Sequence, residues 1–282
     1  MMDIKRRFII GEEWLYLKIY SGPKSIDKIL LEDIMPLAER EFNAKNISKF
    51  FFVRYASGGE HVRLRFELRD VSFAPILIKE LSACLVPYVK NRIVSEVSVN
   101  TYNRELERYG LKTIEDFETI FCSSSFDVLK IFMQTEDYQM RWLLGVKWLD
   151  ELFNKFNLTL WERHALYDNH YLGFLKEFGQ FNVNKDVLKR KYREVSGEFA
   201  NIMKQSYPLF AENGLNTAIE NILKLHSINK LERPLYNLMA DIVHMHFNRM
   251  FRVNARTYEL VLSYMLSNYY KSEMIRTKKS LP

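Results

Sequence analysis

Cysteine is nearly missing from these 282 residues. The two that occur, Cys84 and Cys122, sit in segments that read as helical or helix-adjacent, and two thiols cannot staple a chain of this length. Neither has an evident partner for nucleophilic catalysis, and a reducing, cytoplasmic compartment is the simplest expectation. No apolar run reaches the roughly 18 residues that cross a bilayer, so no membrane span is expected. Near the N-terminus, Phe8-Ile9-Ile10 is the only apolar patch in the first 13 residues, too short for a signal-peptide core. Neither sign of charge dominates: 41 basic against 35 acidic residues leave +6, compatible with an anionic ligand but diagnostic of none. The nucleotide-binding patterns G-x-x-x-x-G-K-[ST] and G-x-G-x-x-G are absent, as are the G-x-S-x-G nucleophile elbow, internal repeats and low-complexity tracts.

What is present suits a packed α+β protein, with 48% hydrophobic and 27% charged residues. Trp14 to Tyr20 alternates as a strand does, and Ser21-Gly22-Pro23 stops it. A helix to about Ala44 follows, with Ser25 or Asp27 as candidate caps and Pro36 as the site of a kink or break. Lys49 to Tyr55 and His61 to Leu68 flank Ser57-Gly58-Gly59 and read as a hairpin. Alternation puts Val62, Leu64, Phe66 and Leu68 on one face and His61, Arg63, Arg65 and Glu67 on the other. Ser72 is a candidate cap for a helix from Phe73 to Val89, and Ile93 to Tyr102 is a fourth strand. The order β-α-β-β-α-β is the ferredoxin-like arrangement, an antiparallel sheet with two helices on one face.

After residue 112 the strand signal stops. Amphipathic helices are expected over 114–121, 126–133, 138–156, 161–178, 187–204, 217–226, 235–250 and 255–274. The expected organisation is therefore a sheet unit over residues 1–112 and a larger all-helical part over 113–282, packed as one functional unit.

Three stretches concentrate polar groups. In His61-Val62-Arg63-Leu64-Arg65, two planar forks stand side by side on one strand face, suited to a ligand with more than one carboxylate or phosphate; a solvated strand face is the alternative. In Thr101-Tyr102-Asn103-Arg104-Glu105-Leu106-Glu107-Arg108-Tyr109-Gly110, one helical turn would pair Glu105 with Arg108, which alone is no more than a weak surface ion pair. In His244-Met245-His246-Phe247-Asn248-Arg249, the two histidines are two apart, the wrong spacing for a zinc helix, so no metal site and no cofactor is expected. Histidine is the natural carrier of a proton near neutral pH, although within a helix it is more often structural.

Taken together, these segments resemble the elimination domain of class I lanthipeptide dehydratases, also found as a stand-alone thiopeptide-type bacteriocin biosynthesis protein. The resemblance runs from Trp14-Leu-Tyr-Leu-Lys-Ile-Tyr20 and Asp27-Lys-Ile-Leu30 through Phe51-Phe52-Val53-Arg54-Tyr55 and His61-Val-Arg-Leu-Arg-Phe66. It continues with Thr101-Tyr-x-Arg-Glu-x-x-Arg-Tyr-Gly110, Glu118-x-x-Phe121, His244-Met-His-x-Asn-Arg249 and Asn254-x-Arg256-x-x-Glu259. The chain departs from the pattern at the Ala56-Ser57-Gly58-Gly59 turn and at Leu111, Ser124 and Asp241.

The resemblance implies a lyase that removes glutamate from glutamylated Ser and Thr of a ribosomal precursor peptide, leaving dehydroalanine or dehydrobutyrine. It implies Arg63, Arg65, Arg108 and His244 as catalytic, with His61, Tyr102, Glu105, His246 and Arg249 binding or orienting the substrate. The implied partners are the glutamylated precursor peptide, a separate tRNA-dependent glutamylating dehydratase subunit and a cyclase. A [4+2] pyridine synthase joining two dehydroalanines is the nearest rival; it has no glutamate to hold. A non-catalytic RNA- or leader-peptide-binding module is another. Its aromatic platform would be needed on the first and third strands, whereas Phe50-Phe51-Phe52 lies on the second, so no direct nucleic-acid binding is expected.

Overall fold

The computed structural model describes residues 4–179 and 183–279. The fold is α+β, a small antiparallel sheet followed by helices. Packing divides the chain into two compact units, Met1–Glu136 with Phe210–Leu238, and Asp137–Leu209 with Met239–Pro282. Secondary structure changes character near residue 112, but the unit built on the sheet runs on through the next helix and regains a later segment.

In the first unit, β1 (Arg7–Phe8) precedes β2 (Trp14–Ser21). A helical segment follows: α1 (Pro23–Ile29), a π-helical turn over Leu30–Ile34, and α2 (Met35–Asn43). The π turn is the answer to Pro36. Proline has no N–H to give, and its ring crowds the carbonyl four residues back. Here the Met35 N–H reaches the Leu30 carbonyl across the wider turn, and the segment continues instead of breaking. Asp27 does not cap α1; it is buried and pairs with Arg54 at 2.6 Å.

The hairpin strands β3 (Ile47–Tyr55) and β4 (His61–Leu68) follow. Next come α3 (Ala74–Lys90), β5 (Val94–Val99) and β6 (Tyr102–Asn103). The sheet order β3-β4-β2-β5, antiparallel throughout, is the split β-α-β-β-α-β arrangement, while β1 and β6 form a separate ribbon. The expected fourth strand is thus divided between β5 and β6. The turn ahead of α3 is capped by Asp70, which accepts from the Ser72 N–H, and not by Ser72 itself. By length and composition, Val71–Lys90 is apolar enough to cross a bilayer. It carries Lys79 and Glu80 and buries Leu77, Leu81 and Leu85 in the sheet unit.

One sheet face, bearing Leu17, Ile19, Phe52, Leu64 and Phe66, is sealed under these helices. The short α4 (Leu106–Tyr109) leads to α5 (Ile114–Gln134), one continuous helix where two, over 114–121 and 126–133, were expected. Ser123 and Ser125 within it are buried because they hydrogen-bond: Ser123 Oγ donates to the Phe210 carbonyl and Ser125 Oγ to that of Phe121. Helix α5 also closes the outer edge of β3. The Phe50 N–H donates to Cys122 Sγ at 3.4 Å and the Phe52 N–H to Ser125 Oγ at 3.2 Å. Helix α9 (Leu215–Ser227) packs on α5 in the returning segment.

The second unit is helical: α6 (Tyr138–Lys155), α7 (Leu160–Phe178), α8 (Lys185–Lys204), most of α10 (Leu235–Met250) and α11 (Ala255–Lys279). Thr159 and Glu162 form a reciprocal capping box at the start of α7. Helices α7 and α11 pack along one another, and the buried Asp150 ties three helices by accepting from Lys147, Arg163 and the Tyr270 hydroxyl.

Candidate active site

Strand register decides what surrounds the arginine strand. On the face opposite the sealed one, Arg63 lies between Lys18 and Val53, and Arg65 between Tyr16 and Phe51. Arg65 sits against three rings, those of Tyr16, Phe51 and Tyr102, with centroids at 4.7, 5.2 and 4.9 Å. Arg63 lies 3.4 Å from the Tyr55 ring centroid. Cation–π contacts of this kind are worth about 0.5–2 kcal/mol each, more as water is excluded. Neither guanidinium forms an ion pair among the described residues, and Arg65 Nε is buried without a hydrogen bond. Two cations are thus held side by side by rings rather than by carboxylates.

His61 is only 2% exposed. It is stacked between Tyr20 and Tyr55 at 4.6 and 5.6 Å. Its Nδ1 lies 2.8 Å from the Gly59 carbonyl, and its Nε2 accepts from Arg63 Nε at 3.1 Å. Burial, then the nearby Arg63 and Lys18 cations, push its pKa down.

The Tyr102–Gly110 stretch is organised by a group that sequence reasoning passed over. Arg104, 4% exposed, makes a bidentate pair with Glu118: Nε to Oε1 at 2.8 Å and Nη2 to Oε2 at 2.7 Å. The Tyr102 hydroxyl donates to the same carboxylate at 2.7 Å, which fixes the ring that faces Arg65. Burial pushes the Glu118 carboxyl upward against the pull of Arg104. The signal was in the sequence, since Tyr-x-Arg and the later Glu118 both belong to the quoted pattern; only their pairing was hidden.

Arg108 is where the spacing put it, Nη1 to Glu105 Oε2 at 3.3 Å and partly exposed. Its carbonyl accepts from Arg233 Nη1 at 2.5 Å, and the Leu111 N–H donates to Glu232. Gly110 is required there: φ is +82°, and a Cβ would meet Glu232 Oε2 at 2.8 Å and Thr113 Oγ1 at 2.9 Å.

His244 belongs to the other compact unit. Its Nδ1 lies 3.0 and 3.1 Å from the two carboxylate oxygens of Glu259, which is 2% exposed. Donation from Nδ1 to this buried carboxylate fixes the ring and leaves the Nε2 lone pair for proton exchange. Arg256 Nη1 stands 3.6 Å from Glu259. His170, near His244 and Arg256, is pushed down to about 4, first by burial and then by those neighbours. His246 and Arg249, also expected to bind or orient substrate, are fully buried. The His246 ring stacks on Trp148 at 4.4 Å and burial pushes it to about 3, while Arg249 Nη1 donates to the Met245 carbonyl at 2.8 Å. Their geometry suits holding α10 in place more than meeting a substrate.

Among the described residues no group of three or more His, Cys, Asp or Glu side chains is placed to hold a metal. A cavity of about 290 Å³ in the first unit is lined by Lys112, Asp116, Asn221, Lys224, Leu225 and Ile228, none of them a residue of the site above.

A family model described as "Lantibiotic biosynthesis dehydratase C-term" matches residues 14–270. Nisin biosynthesis protein NisB of Lactococcus lactis subsp. lactis is 27% identical over 278 residues, 95% of this chain and 26% of that protein. Subtilin biosynthesis protein SpaB of Bacillus subtilis is 23% identical over 96% of this chain and 27% of its own length. The chain therefore spans about a quarter of these relatives. Among solved structures, the tRNA-dependent lantibiotic dehydratase MibB from Microbispora sp. 107891 superimposes with a TM-score of 0.59 at 17% identity, over 95% of this chain and 29% of that one. The pyridine synthase TbtD from thiomuracin biosynthesis does so with a TM-score of 0.62 at 11% identity, over 93% and 98%. At these identities the two structures speak for the fold alone.

Proposed function

The chain belongs to the lantibiotic biosynthesis dehydratase C-terminal family, and from that membership we infer that it is a lyase releasing glutamate from glutamylated Ser and Thr of a precursor peptide. The observation that carries this reading is the pair Arg63 and Arg65, fixed side by side without a carboxylate partner among the described residues. Such a pair calls for an acidic ligand. A glutamyl ester supplies one, and expels a second carboxylate when the ester bond breaks.

The elimination removes the α-proton of the esterified residue, forms the Cα–Cβ double bond and releases the acyl group as glutamate. Cations aimed at charge that develops in such a step are commonly the largest catalytic contribution. Arg63 and Arg65 take the glutamyl group and its leaving carboxylate, and Arg108, oriented by Glu105, adds a third cation. Tyr102 holds the Arg65 side of the sheet face. His244 exchanges the proton through Nε2, with Glu259 holding Nδ1. A separate subunit would add glutamate from glutamyl-tRNA, and a cyclase would act on the product; on this reading the tRNA is that subunit's ligand and not this chain's.

A pyridine synthase is the second reading, favoured by one observation: chain and TbtD match over nearly their whole lengths. One assay separates the two. Offered a glutamylated peptide and, separately, a peptide with two dehydroalanines, the protein is expected to convert only the first, read by mass spectrometry. His244→Ala should slow glutamate release by about 10²–10⁴-fold, the usual worth of a general acid–base group. Conversion of the second peptide alone would overturn the lyase reading.

A further inference from the structure

A guanidinium can grip a carboxylate through either of two edges, the Nε–Nη pair along its side or the two Nη groups at its end. On Arg63 the side edge is already taken, because Nε–H donates to His61 Nε2 at 3.1 Å. That nitrogen can accept only as a bare lone pair, so the ring proton sits on Nδ1, where the Gly59 carbonyl lies 2.8 Å away. The carbonyl reaches the ring because two consecutive glycines turn left-handed, Gly58 at φ +77° and Gly59 at φ +102°.

Protonation of His61 would set an N–H against the Arg63 N–H and a cation against a cation. Burial, Arg63 and Lys18 oppose a charge there, the Gly59 carbonyl and Glu60 favour one, the net direction is toward the neutral ring, and Tyr20 and Tyr55 cover the two ring faces. No other hydrogen bond of Arg63 occurs among the described residues.

We propose that His61 is a positioning residue, an Nδ1–H imidazole that occupies the Nε–H of Arg63 and leaves only the terminal Nη pair to grip the acidic ligand end-on. His61 itself touches no substrate. The proposal rests on the lyase reading for the identity of that ligand, but not for the state of the ring.

The ring is tested first, without substrate. In the full chain with ¹⁵N-labelled imidazoles there are six histidines to resolve, and His61 is the resonance lost in His61→Phe. It is expected to show the Nδ1–H tautomer and a midpoint below that of an ordinary imidazole. An Nε2–H tautomer, or an ordinary midpoint, would overturn the proposal whatever the protein's activity.

The second test is kinetic, on a glutamylated peptide. His61→Phe keeps the stacked ring and removes the acceptor. It should raise KM about tenfold with kcat within about twofold, the scale of one charge-assisted hydrogen bond. His61→Gln, which restores an acceptor oxygen, should recover most of that loss. In an Arg63→Ala background His61→Phe should add nothing, since its effect passes through Arg63. Independent, additive losses would overturn the proposal. If the wild-type protein releases no glutamate, the lyase reading fails, and the imidazole spectrum alone decides the role of His61.

Discussion

At the scale of single residues, charge is handled in two opposite ways. Arg104 and Glu118 neutralise one another in a dry bidentate pair, and Arg54 with Asp27 does the same beneath the sheet. Arg63 and Arg65 are instead left cationic and held by rings. Asp116 is a third case. Burial lifts its carboxyl to about 6 from an ordinary 3.8, with the Asn221 hydrogen bond pulling the other way. A folded-state pKa above the unfolded one means the folded chain keeps a proton that the unfolded chain has lost. Stability contributed by this group is therefore full below about pH 4 and falls as pH rises to about 6. Asp116→Asn should leave the melting temperature unchanged near pH 4 and raise it near pH 7.5, as calorimetry at the two pH values would show.

At the scale of elements, alternation in β4 was legible because a strand's period is two whatever packs on it. That rule alone put His61, Arg63 and Arg65 on one face and the aliphatic residues on the other. The pairing of Glu105 with Arg108 was legible for a similar local reason. What the sequence hid were partners far apart in the chain, Arg104 with Glu118, His244 with Glu259, and the three rings around Arg65, because spacing says nothing about contacts made by folding. The division expected between 114–121 and 126–133 erred in the other direction. Local propensity reads Ser123-Ser124-Ser125 as a break, but tertiary partners for Ser123 and Ser125 keep the helix running. Ser125 earns its place by accepting the Phe52 N–H at the sheet edge. Ser125→Val should therefore cost about 1–3 kcal/mol in a urea titration, the penalty of a buried unpaired donor. A loss within a few tenths of a kcal/mol would show that this contact contributes nothing.

At the scale of the whole molecule, the sheet unit is not a contiguous stretch of chain. Phe210 packs edge-on against Phe42 and tilted against Phe126, its N–H donates to Asp127, and Glu232 and Arg233 secure the turn at Arg108–Leu111. A fragment ending at residue 112 would lack α5, leave the outer N–H groups of β3 bare and forfeit these later contacts. Expressed alone, it should show no cooperative melting by circular dichroism; a sharp transition would prove the remainder dispensable. The same wiring bears on synthesis at the ribosome. The first strands emerge early, yet the material that completes their unit arrives only after the intervening residues 137–209 have been made. Nascent sheet must wait, partly unclad, for a late instalment, which makes this half of the molecule a natural client for chaperones that shield apolar surface during translation.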